Sequence, residues 1–261
     1  MLHAHLPWVV GTREERWLHE AVLDCYLPLL DALERAPPGR VTLSVTPVLA
    51  AMLEDRGARA RTREFIEEAA RRRRPSSEAL EWHRAAAVRA LKGLQAGSIV
   101  ERLKALARSG AVELIASGVT HGFLPLLMTV PEAANAQVAL GVEAHRRAFG
   151  QEPRGFWLPE CAYAPGLDRV LADHDIRYTF VDSHALDGAV HGTAAPVYLP
   201  SGVAAFARDV TLSEQVWSSI VGYPADPVYA DFHHRLNGQR VLRITGAEQK
   251  DPWQPAAALA R

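Results

Sequence analysis

Short apolar segments alternate with longer amphipathic ones along most of the chain. Six segments have the length and apolar content of strands: 2–7, 41–47, 112–117, 155–160, 178–182 and 241–246. Between the first two, Val22, Cys25 and Leu29 follow one another at steps of three and four, which predicts a helix with one buried face. Alternating strands and helices are typical of an α/β protein with a parallel sheet.

Proline and glycine mark the expected kinks and ends of the helices. Pro28 is predicted to kink or split the first helix, because proline lacks the N–H that continues the hydrogen-bond ladder. Thr129 and Glu132 have capping-box spacing, which predicts the start of a helix that ends at Gly150. The remaining predictions are a helix over 165–174, an irregular stretch with short β pieces over 197–223, and a helix from about Gln254.

Residues 57–109 interrupt this alternation. They are rich in Arg, Glu and Ala and predict two or three helices with a break at Pro75 and Ser76, so they are interpreted as a helical insertion. The run Arg71-Arg72-Arg73-Arg74 lies within them. It has no interleaved aromatic residues of the kind that stack on single-stranded nucleic acid, and is interpreted as a solvated helix face.

The size and charge of the chain limit its class and its partners. With 261 residues, of which 48% are apolar, it matches the roughly 250 residues of one (β/α) barrel. A formal net charge of −1 gives no reason to expect nucleic acid or an anionic membrane as a partner. No apolar run approaches the ~20 residues that span a bilayer, no signal peptide is recognisable, and two cysteines cannot form a disulfide framework. These features predict a cytoplasmic protein.

Polar residues stand at the predicted strand ends, where the functional groups of (β/α) barrels lie. The candidates are His3 and His5 in the first strand, His121 after the third, Glu160 ending the fourth, and Asp182 and His184 after the fifth. Because parallel strands have their carboxyl ends at one edge of the sheet, these side chains are expected to converge.

Glu160 is the foremost catalytic candidate. It lies in Trp157-Leu158-Pro159-Glu160-Cys161, and apolar and aromatic neighbours are typical of a carboxylate that acts as an acid or a nucleophile. The structural alternative is an ion pair with an arginine near the barrel rim. Cys161 is assigned no catalytic role, because no base that would generate its thiolate is evident.

The other candidates each allow more than one role. His3 and His5 lie two positions apart and are expected on one strand face, where they could bind a metal, bind a polar substrate or be satisfied core residues. Asp182 could act as an acid or orient a histidine. Trp157 and Trp217 could stack on sugar rings or pack in the core.

These segments together resemble glycoside hydrolase family 57, and within it the bacterial 1,4-α-glucan branching enzymes. The matching segments are His3-Ala4-His5-Leu6-Pro7-Trp8, Val112-Glu113-Leu114-Ile115, Thr120-His121-Gly122-Phe123, Gly155-Phe156-Trp157-Leu158-Pro159-Glu160-Cys161-Ala162-Tyr163, Ile176-Arg177-Tyr178-Thr179-Phe180-Val181-Asp182 and Gln215-Val216-Trp217-Ser218. Trp157-Leu158-Pro159-Glu160 is the most specific of them.

The resemblance implies a (β/α)7 barrel, a retaining mechanism and an α-glucan substrate. It implies that Glu160 is the nucleophile that forms a glycosyl-enzyme. It also implies that the glucan subsites are lined by His3, His5, His121, Trp157, Asp182 and Trp217. It implies neither a metal nor another cofactor, and it leaves the oligomeric state open.

The sequence departs from the family pattern in two places. Retaining chemistry needs a second carboxyl group, and the family's acid/base aspartate follows the helix predicted from Gln254, where this sequence stops. Residues 1–261 are therefore expected to form a barrel incomplete at its C-terminus, to lack the family's C-terminal helical domain and to be inactive alone. The loop between Val181 and Val197 also has no aromatic residue, whereas branching enzymes often have a tyrosine there.

Three other functions remain open from the sequence. The first is an α-amylase-like hydrolase of the same family. The second is a metal-dependent hydrolase of the amidohydrolase type, with His3, His5 and His184 as ligands. The third is a protein that binds glucan without catalysis.

Overall fold

The computed structural model describes residues 1–36, 41–71, 77–231, 233–236, 238 and 240–260. These form two compact units. The first contains 1–63 and 93–208, and the second contains 64–92 and 209–261. The sheet belongs to the first unit.

The first unit is built on a seven-stranded sheet. Its strands are β1 Leu2–Ala4, β2 Val41–Val45, β3 Val112–Ser117, β4 Gly155–Trp157, β5 Tyr178–Val181, β6 Val197–Tyr198 and β7 Ala204–Ala207. Their order is β1-β2-β3-β4-β5-β7-β6, and all neighbours are parallel except the antiparallel pair β6 and β7. The predicted α/β class is confirmed, and β1 to β5 fall on five predicted segments. Within the described ranges the sheet is open, with β1 and β6 at its edges.

Helices connect the strands and flank them. They are α1 Arg16–Ala21, α2 Leu27–Arg35, α3 Pro47–Glu54, α4 Arg56–Arg71, α5 Glu78–Gln95, α6 Ile99–Arg108, α7 Leu124–Leu127, α8 Pro131–Phe149, α9 Leu167–Ala172, α10 Val210–Trp217 and α11 Pro255–Leu259. Because consecutive strands from β1 to β5 run parallel, each connection must cross back over the sheet, and helices provide these crossovers.

Four of the strands, β1, β2, β4 and β5, end earlier than predicted, and for β2 and β4 the reason is a proline that follows. β2 ends at Val45, and Pro47 begins α3 with Thr46 as its cap. β4 ends at Trp157, and Pro159 begins a short 3-10 turn. Proline cannot donate to a strand ladder but is tolerated in the first turn of a helix.

The first predicted helix is split, as Pro28 suggested. Between α1 and α2 the chain forms one widened π turn, Val22–Tyr26, in which the N–H of Leu27 bonds to the carbonyl of Val22. Pro28 then occupies the first turn of α2, where no intrahelical N–H bond is required of it.

Helix α8 begins differently from the prediction. It starts at Pro131, and the cap residue Val130 has no side chain that bonds to the free N–H groups. The predicted capping box is wrong, because the cap position falls on Val130 and not on Thr129. The hydroxyl of Thr129 donates to the carbonyl of Leu126 in the preceding turn, 2.8 Å away.

Helix α8 packs closely against the end of β3. A Cβ atom at Gly141 would lie 2.1 Å from the carbonyl oxygen of Ser117, so this approach requires glycine. Val138 and Val142 flank Gly141 on the helix and are buried in the core. The helix ends at Gly150, whose φ of 71° gives the left-handed termination that the sequence predicted.

Three helices, α4, α5 and α6, occupy most of the predicted insertion 57–109. Helix α6 contacts β3 and α8 and so forms part of the layer that covers the sheet. Most of the Arg71–Arg74 run and the Pro75-Ser76 break lie outside the described residues. The insertion as a separate part of the domain stays a prediction.

The C-terminal stretch differs from the prediction at two elements. Residues 241–246 form isolated antiparallel bridges, Ala230 with Arg243 and Leu242 with Pro252, instead of a strand, because no described neighbour continues the ladder. Helix α10 lies in a region predicted to be irregular, and Asp209 caps it by accepting from the N–H of Leu212 at 2.7 Å. Helix α11 follows Gln254 as predicted. No described helix has the length and apolar content needed to cross a bilayer.

His145 gives the fold an expected sensitivity to acid. It is 2% exposed on α8, and within the described residues neither ring nitrogen has a hydrogen-bond partner. Burial lowers its pKa from 6.5 to about 4, while Glu152 acts weakly in the opposite direction. Between pH 6.5 and about 4 the His145 ring is therefore protonated in the unfolded chain and neutral in the folded one, which favours unfolding.

We expect the free energy of unfolding to fall as the pH drops from 6.5 to about 4, with His145 contributing up to about 3 kcal/mol of this loss. His145→Leu should remove that contribution and leave the neutral-pH stability equal or higher. Urea titrations of both proteins at several pH values measure the difference. Parallel pH curves for the two proteins would contradict the assignment.

Candidate active site

Three histidines and a tryptophan meet at the carboxyl ends of β1, β3 and β4. The ring centroid of His3 lies 4.4 Å from Trp157, 5.2 Å from His121 and 6.2 Å from His5. The rings of His5 and His121 are 3.9 Å apart, and their planes differ by 13°. The structure thus brings the three histidines together, as the strand-end positions predicted, and Trp157 stacks against them.

The three histidines are uncharged at neutral pH. Burial, reinforced by His121, lowers the pKa of His3 to about 3 and that of His5 to about 4. Burial also lowers the pKa of His121, with the charge of Glu160 acting in the opposite direction. A neutral imidazole has one donor and one acceptor nitrogen. The Nε2 atoms of His3 and His121 are 3.1 Å apart, so one donates to the other.

Thr46 at the end of β2 orients His5. Its Oγ1 lies 3.2 Å from Nδ1 of His5, and its backbone N–H donates to the carbonyl of Ala4 at 3.1 Å. The same hydroxyl caps α3 by accepting from the N–H of Leu49. One residue therefore fixes the start of a helix and the ring of a site histidine.

Gln137 on α8 holds the loop that carries His121. Its backbone carbonyl accepts from the N–H of Val119 at 3.1 Å. Its side-chain Oε1 accepts from the N–H of Thr120 at 3.0 Å. Its Nε2 donates to the hydroxyl of Thr120 at 2.7 Å. His121 has a φ of 56°, a left-handed conformation that a non-glycine residue adopts only when its surroundings impose it. The bonds from Gln137 provide part of that constraint.

Trp157 connects the histidines to the aromatic residues of the sheet. Its ring stacks on His3 within 15° of parallel and lies 6.2 Å from Phe180. Its Nε1 is buried and has no partner within the described residues. The Trp157 side chain is only partly exposed. One part of it packs in the floor of the site, and the other part can contact a ligand.

Glu160 lies in a tight turn directly after β4. In the turn Pro159–Cys161, φ is 59° at Glu160 and 53° at Cys161, so two adjacent non-glycine residues are left-handed. The turn is held by the N–H of Cys161, which donates to the carbonyl of Leu158 at 2.8 Å. The N–H of Asp182 donates to the carbonyl of Cys161 at 3.1 Å. Such strain persists where the surroundings over-determine the backbone.

The turn exposes the carboxylate of Glu160. Leu158, Pro159 and Cys161 are buried beneath it, so the apolar sequence neighbours do not enclose the side chain as the sequence suggested. Among the described residues no arginine or lysine is paired with Glu160, so the predicted structural alternative is not found there. Its charge acts on His121 and on Cys161.

Asp182 forms an ion pair with Arg208 beside this turn. It also accepts from Ser183 at 3.2 Å and lies 3.2 Å from Nδ1 of the exposed His184. Burial alone would raise the pKa of Asp182, but Arg208 and these hydrogen bonds outweigh it and the pKa is lowered. Asp182 is therefore a carboxylate at neutral pH, a state that suits a positioning role and not that of a proton donor.

The neighbouring thiol is inert. Burial raises the pKa of Cys161 to about 12, although Arg208 acts to lower it. The thiol stays protonated at neutral pH and is therefore a poor nucleophile, as the sequence predicted.

Trp217, the remaining aromatic candidate, belongs to the second unit. It ends α10 and is 60% exposed. Within the part of the chain that the structure describes, no three His, Cys, Asp or Glu residues are grouped so that they could hold a metal.

Sequence reasoning missed the residues that support the site. Thr46 contacts His5, Arg208 contacts Asp182, and Gln137 contacts Thr120, the residue before His121. Each of these partners lies at least 17 positions away in the sequence, and no local pattern marks such a contact.

Known proteins share this arrangement of sequence and fold. Residues 1–245 match the model of glycosyl hydrolase family 57. The 1,4-α-glucan branching enzyme of Thermococcus kodakarensis is 32% identical, over all of this chain and 46% of its own length. The chain thus spans about half the length of that curated relative.

Two solved structures are similar over 99% of the chain. The branching enzyme of Pyrococcus horikoshii is 33% identical with a TM-score of 0.89, and 55% of it is covered. A structure described as a novel α-amylase from Thermotoga maritima is 34% identical with a TM-score of 0.88, and 59% of it is covered. The family match over most of the chain, on a sheet that carries the histidine cluster and the Glu160 turn, establishes that this chain belongs to glycosyl hydrolase family 57.

Proposed function

We propose that this chain carries the nucleophile half of a retaining α-glucan branching enzyme. The observation that carries the proposal is the exposed Glu160 on a constrained turn beside the neutral cluster of His3, His5 and His121. Curated relatives at 32% identity are 1,4-α-glucan branching enzymes, which supports an α-glucan as the substrate.

In the proposed reaction an oxygen of the Glu160 carboxylate attacks C1 of the donor glucose. The C1–Glu160 bond forms, the glycosidic C1–O bond breaks, and the leaving oxygen takes a proton from an acid. In the second step the 6-hydroxyl of another glucan attacks C1, transfers its proton to the same group and releases Glu160. The branch is the α-1,6 bond formed in this step.

The neutral histidines suit the binding of sugar hydroxyl groups. Each ring nitrogen that faces the substrate either donates to or accepts from a hydroxyl, and Thr46 and Gln137 hold His5 and His121 in place. Uncharged rings lose less hydration than imidazolium ions when a sugar displaces water from the site. Trp157, stacked on His3, provides the floor of this subsite.

We do not assign the acid/base role to the carboxylate that lies beside Glu160. Asp182 is the other carboxylate beside the turn, and its ion pair with Arg208 keeps it ionised, so it cannot give a proton to the leaving oxygen. Asp182 has a positioning role, because its backbone N–H donates to the Cys161 carbonyl in the turn that carries Glu160. On natural glucans this chain alone is expected to be nearly inactive.

Hydrolysis is the second candidate outcome, favoured by the likeness to the Thermotoga maritima structure described as an α-amylase. The loop between β5 and β6 has no aromatic residue in 183–196 that would shield the intermediate from water. Both outcomes share the Glu160 intermediate and differ in whether a sugar or water accepts the glycosyl group.

A trapping experiment tests the shared intermediate. A 5-fluoroglucosyl fluoride with the α configuration should label the chain, because fluoride leaves without acid assistance and the second fluorine slows release of the ester. Intact-mass and peptide mass spectrometry should find one added glycosyl group on the peptide that contains Glu160. Glu160→Gln should abolish the label and Glu132→Gln, an exposed change on α8, should keep it. A label on another carboxylate would overturn the assignment.

We also propose a cytoplasmic location for this protein. Within the described residues neither Cys25 nor Cys161 forms a disulfide, and Cys25 is exposed, which is typical of a reducing compartment. An α-glucan is the proposed partner, with no role for nucleic acid or membrane.

A further inference from the structure

The first unit contains a cavity that shares no residue with the candidate active site. It has a volume of about 360 Å³, within the range of small-molecule sites. Helices α1, α3 and α4, the π turn and the start of α6 form its walls. Neither the family resemblance nor the proposed reaction assigns it a role.

The floor of the cavity is apolar. Leu18, Val22 and Met52 form it and are almost completely buried, and Ile99 closes one side. Val22 belongs to the π turn, an irregularity that is often found at functional sites. The one polar side chain in this floor region, that of Thr62, lies 2.8 Å from Nδ1 of His19 and is therefore already hydrogen-bonded. The floor suits a hydrocarbon or aromatic group.

The rim of the cavity is basic. Arg56, Arg59 and Arg63 lie at steps of three and four along α4, which places them on one helix face. The described lining contains no acidic residue. Of the carboxylates nearest in sequence, Asp55 accepts from the N–H of Ala58. Glu54 accepts from the hydroxyl of Ser98, a residue that lines the cavity, so one carboxylate contacts its wall.

The beginning of α6 adds partial positive charge to the same opening. Gly97 and Ser98 line the cavity directly before this helix of ten residues. The N-terminal N–H groups of a helix favour a negatively charged group nearby. Guanidinium groups and a helix N-terminus both recognise carboxylate and phosphate oxygens.

We propose that this cavity is a second binding site, for a small amphipathic anion whose apolar body fills the floor and whose acidic group lies among the α4 arginines. The ligand class comprises aromatic or aliphatic molecules that carry one phosphate or carboxylate group. The site is independent of the proposed glucan chemistry, because none of its residues belongs to the Glu160 region.

Isothermal titration calorimetry on the 261-residue chain tests the site with matched probes. We expect 1-naphthyl phosphate or 1-naphthylacetate to bind once per chain with a Kd below about 1 mM. Two probes each lack one half of these anions: 1-naphthol lacks the acidic group, and inorganic phosphate lacks the ring. Each should bind at least about tenfold more weakly than the anions. The tighter of the two anions identifies an organic phosphate or a carboxylic acid as the ligand class.

Variants locate the binding. Ala60→Leu adds volume at an exposed position of the cavity wall, and Arg59→Gln removes one rim charge. Each should weaken binding at least about tenfold. Arg169→Gln, an exposed arginine of α9 outside the cavity, should leave the affinity unchanged, and circular dichroism should show that all variants are folded.

Three results would overturn the proposal. One is the absence of saturable binding of both anions to the wild-type chain. Another is binding that neither folded variant weakens. The third is equal affinity for 1-naphthol and the anions, which would remove the role of the arginines. If Ala60→Leu does not fold, Arg59→Gln and Arg56→Gln decide the question, because both lie at exposed helix positions.

Discussion

Glu160→Ala is expected to slow glycosyl release from α-maltosyl fluoride by about 10⁴-fold or more. This donor tests the nucleophile without the acid, because fluoride departs unprotonated. The wild-type chain should therefore release fluoride from it even if the chain is nearly inactive on amylose. A fluoride electrode measures the initial rate for both proteins.

Azide distinguishes a lost nucleophile from a damaged site. In Glu160→Ala the missing side chain leaves room for azide on the face from which the carboxylate would attack. Azide should restore turnover and yield β-maltosyl azide, with the anomeric configuration inverted, whereas the wild-type chain uses two inversions and retains it. Glu132→Gln serves as the control and should keep the wild-type rate.

The same assay separates glycosyl transfer from hydrolysis. With maltoheptaose present, a transferase produces longer saccharides and a hydrolase produces maltose, which chromatography resolves. Full fluoride release by Glu160→Ala without azide would show that Glu160 is not the nucleophile.

Gly141→Ala is expected to lower the free energy of unfolding by about 3 kcal/mol or more. The added Cβ would lie 2.1 Å from the backbone oxygen of Ser117, and a backbone atom cannot move aside as a flexible side chain can. Helix α8 would have to shift away from β3. Because Gln137 on the same helix holds the loop of His121, the shift should also disturb the histidine cluster.

Urea denaturation followed by circular dichroism measures this change. Gly246→Ala is the matched control, because its Cβ would meet no atom within 4 Å and its backbone conformation suits an L-residue. It should change the stability by less than about 0.5 kcal/mol. Equal stability of Gly141→Ala and the control would contradict the close packing of α8 on β3.

Local sequence patterns predicted the parts of this protein that depend on neighbouring residues. The strand 112–117 was predicted with its observed bounds, and Gly150 was predicted as a helix end. The predicted break at Pro28 was confirmed, and so was the meeting of His3 and His5 with His121. Each prediction follows from a period, a turn residue or a position at a strand end.

Contacts between distant residues could not be predicted in this way. The capping box at Thr129 was wrong because the helix has Val130 as its cap residue, and the Thr129 hydroxyl bonds to the carbonyl of Leu126 in the preceding turn. The 241–246 segment has the apolar residues of a strand, but a strand also needs a neighbour to complete its ladder. Helix α10 was missed because its apolar residues stay exposed and give no clear buried face.

The sequence by itself determined the α/β class, the strand-end residues and the identity of Glu160 as the candidate nucleophile. The tertiary structure decided how those residues are presented. The fold exposes Glu160 on a turn with left-handed backbone angles. It buries the histidines, which keeps them uncharged, and it places Asp182 in an ion pair with Arg208. The physical reason is that backbone periodicity is set by adjacent residues, whereas desolvation and ion pairing depend on groups that only folding brings together.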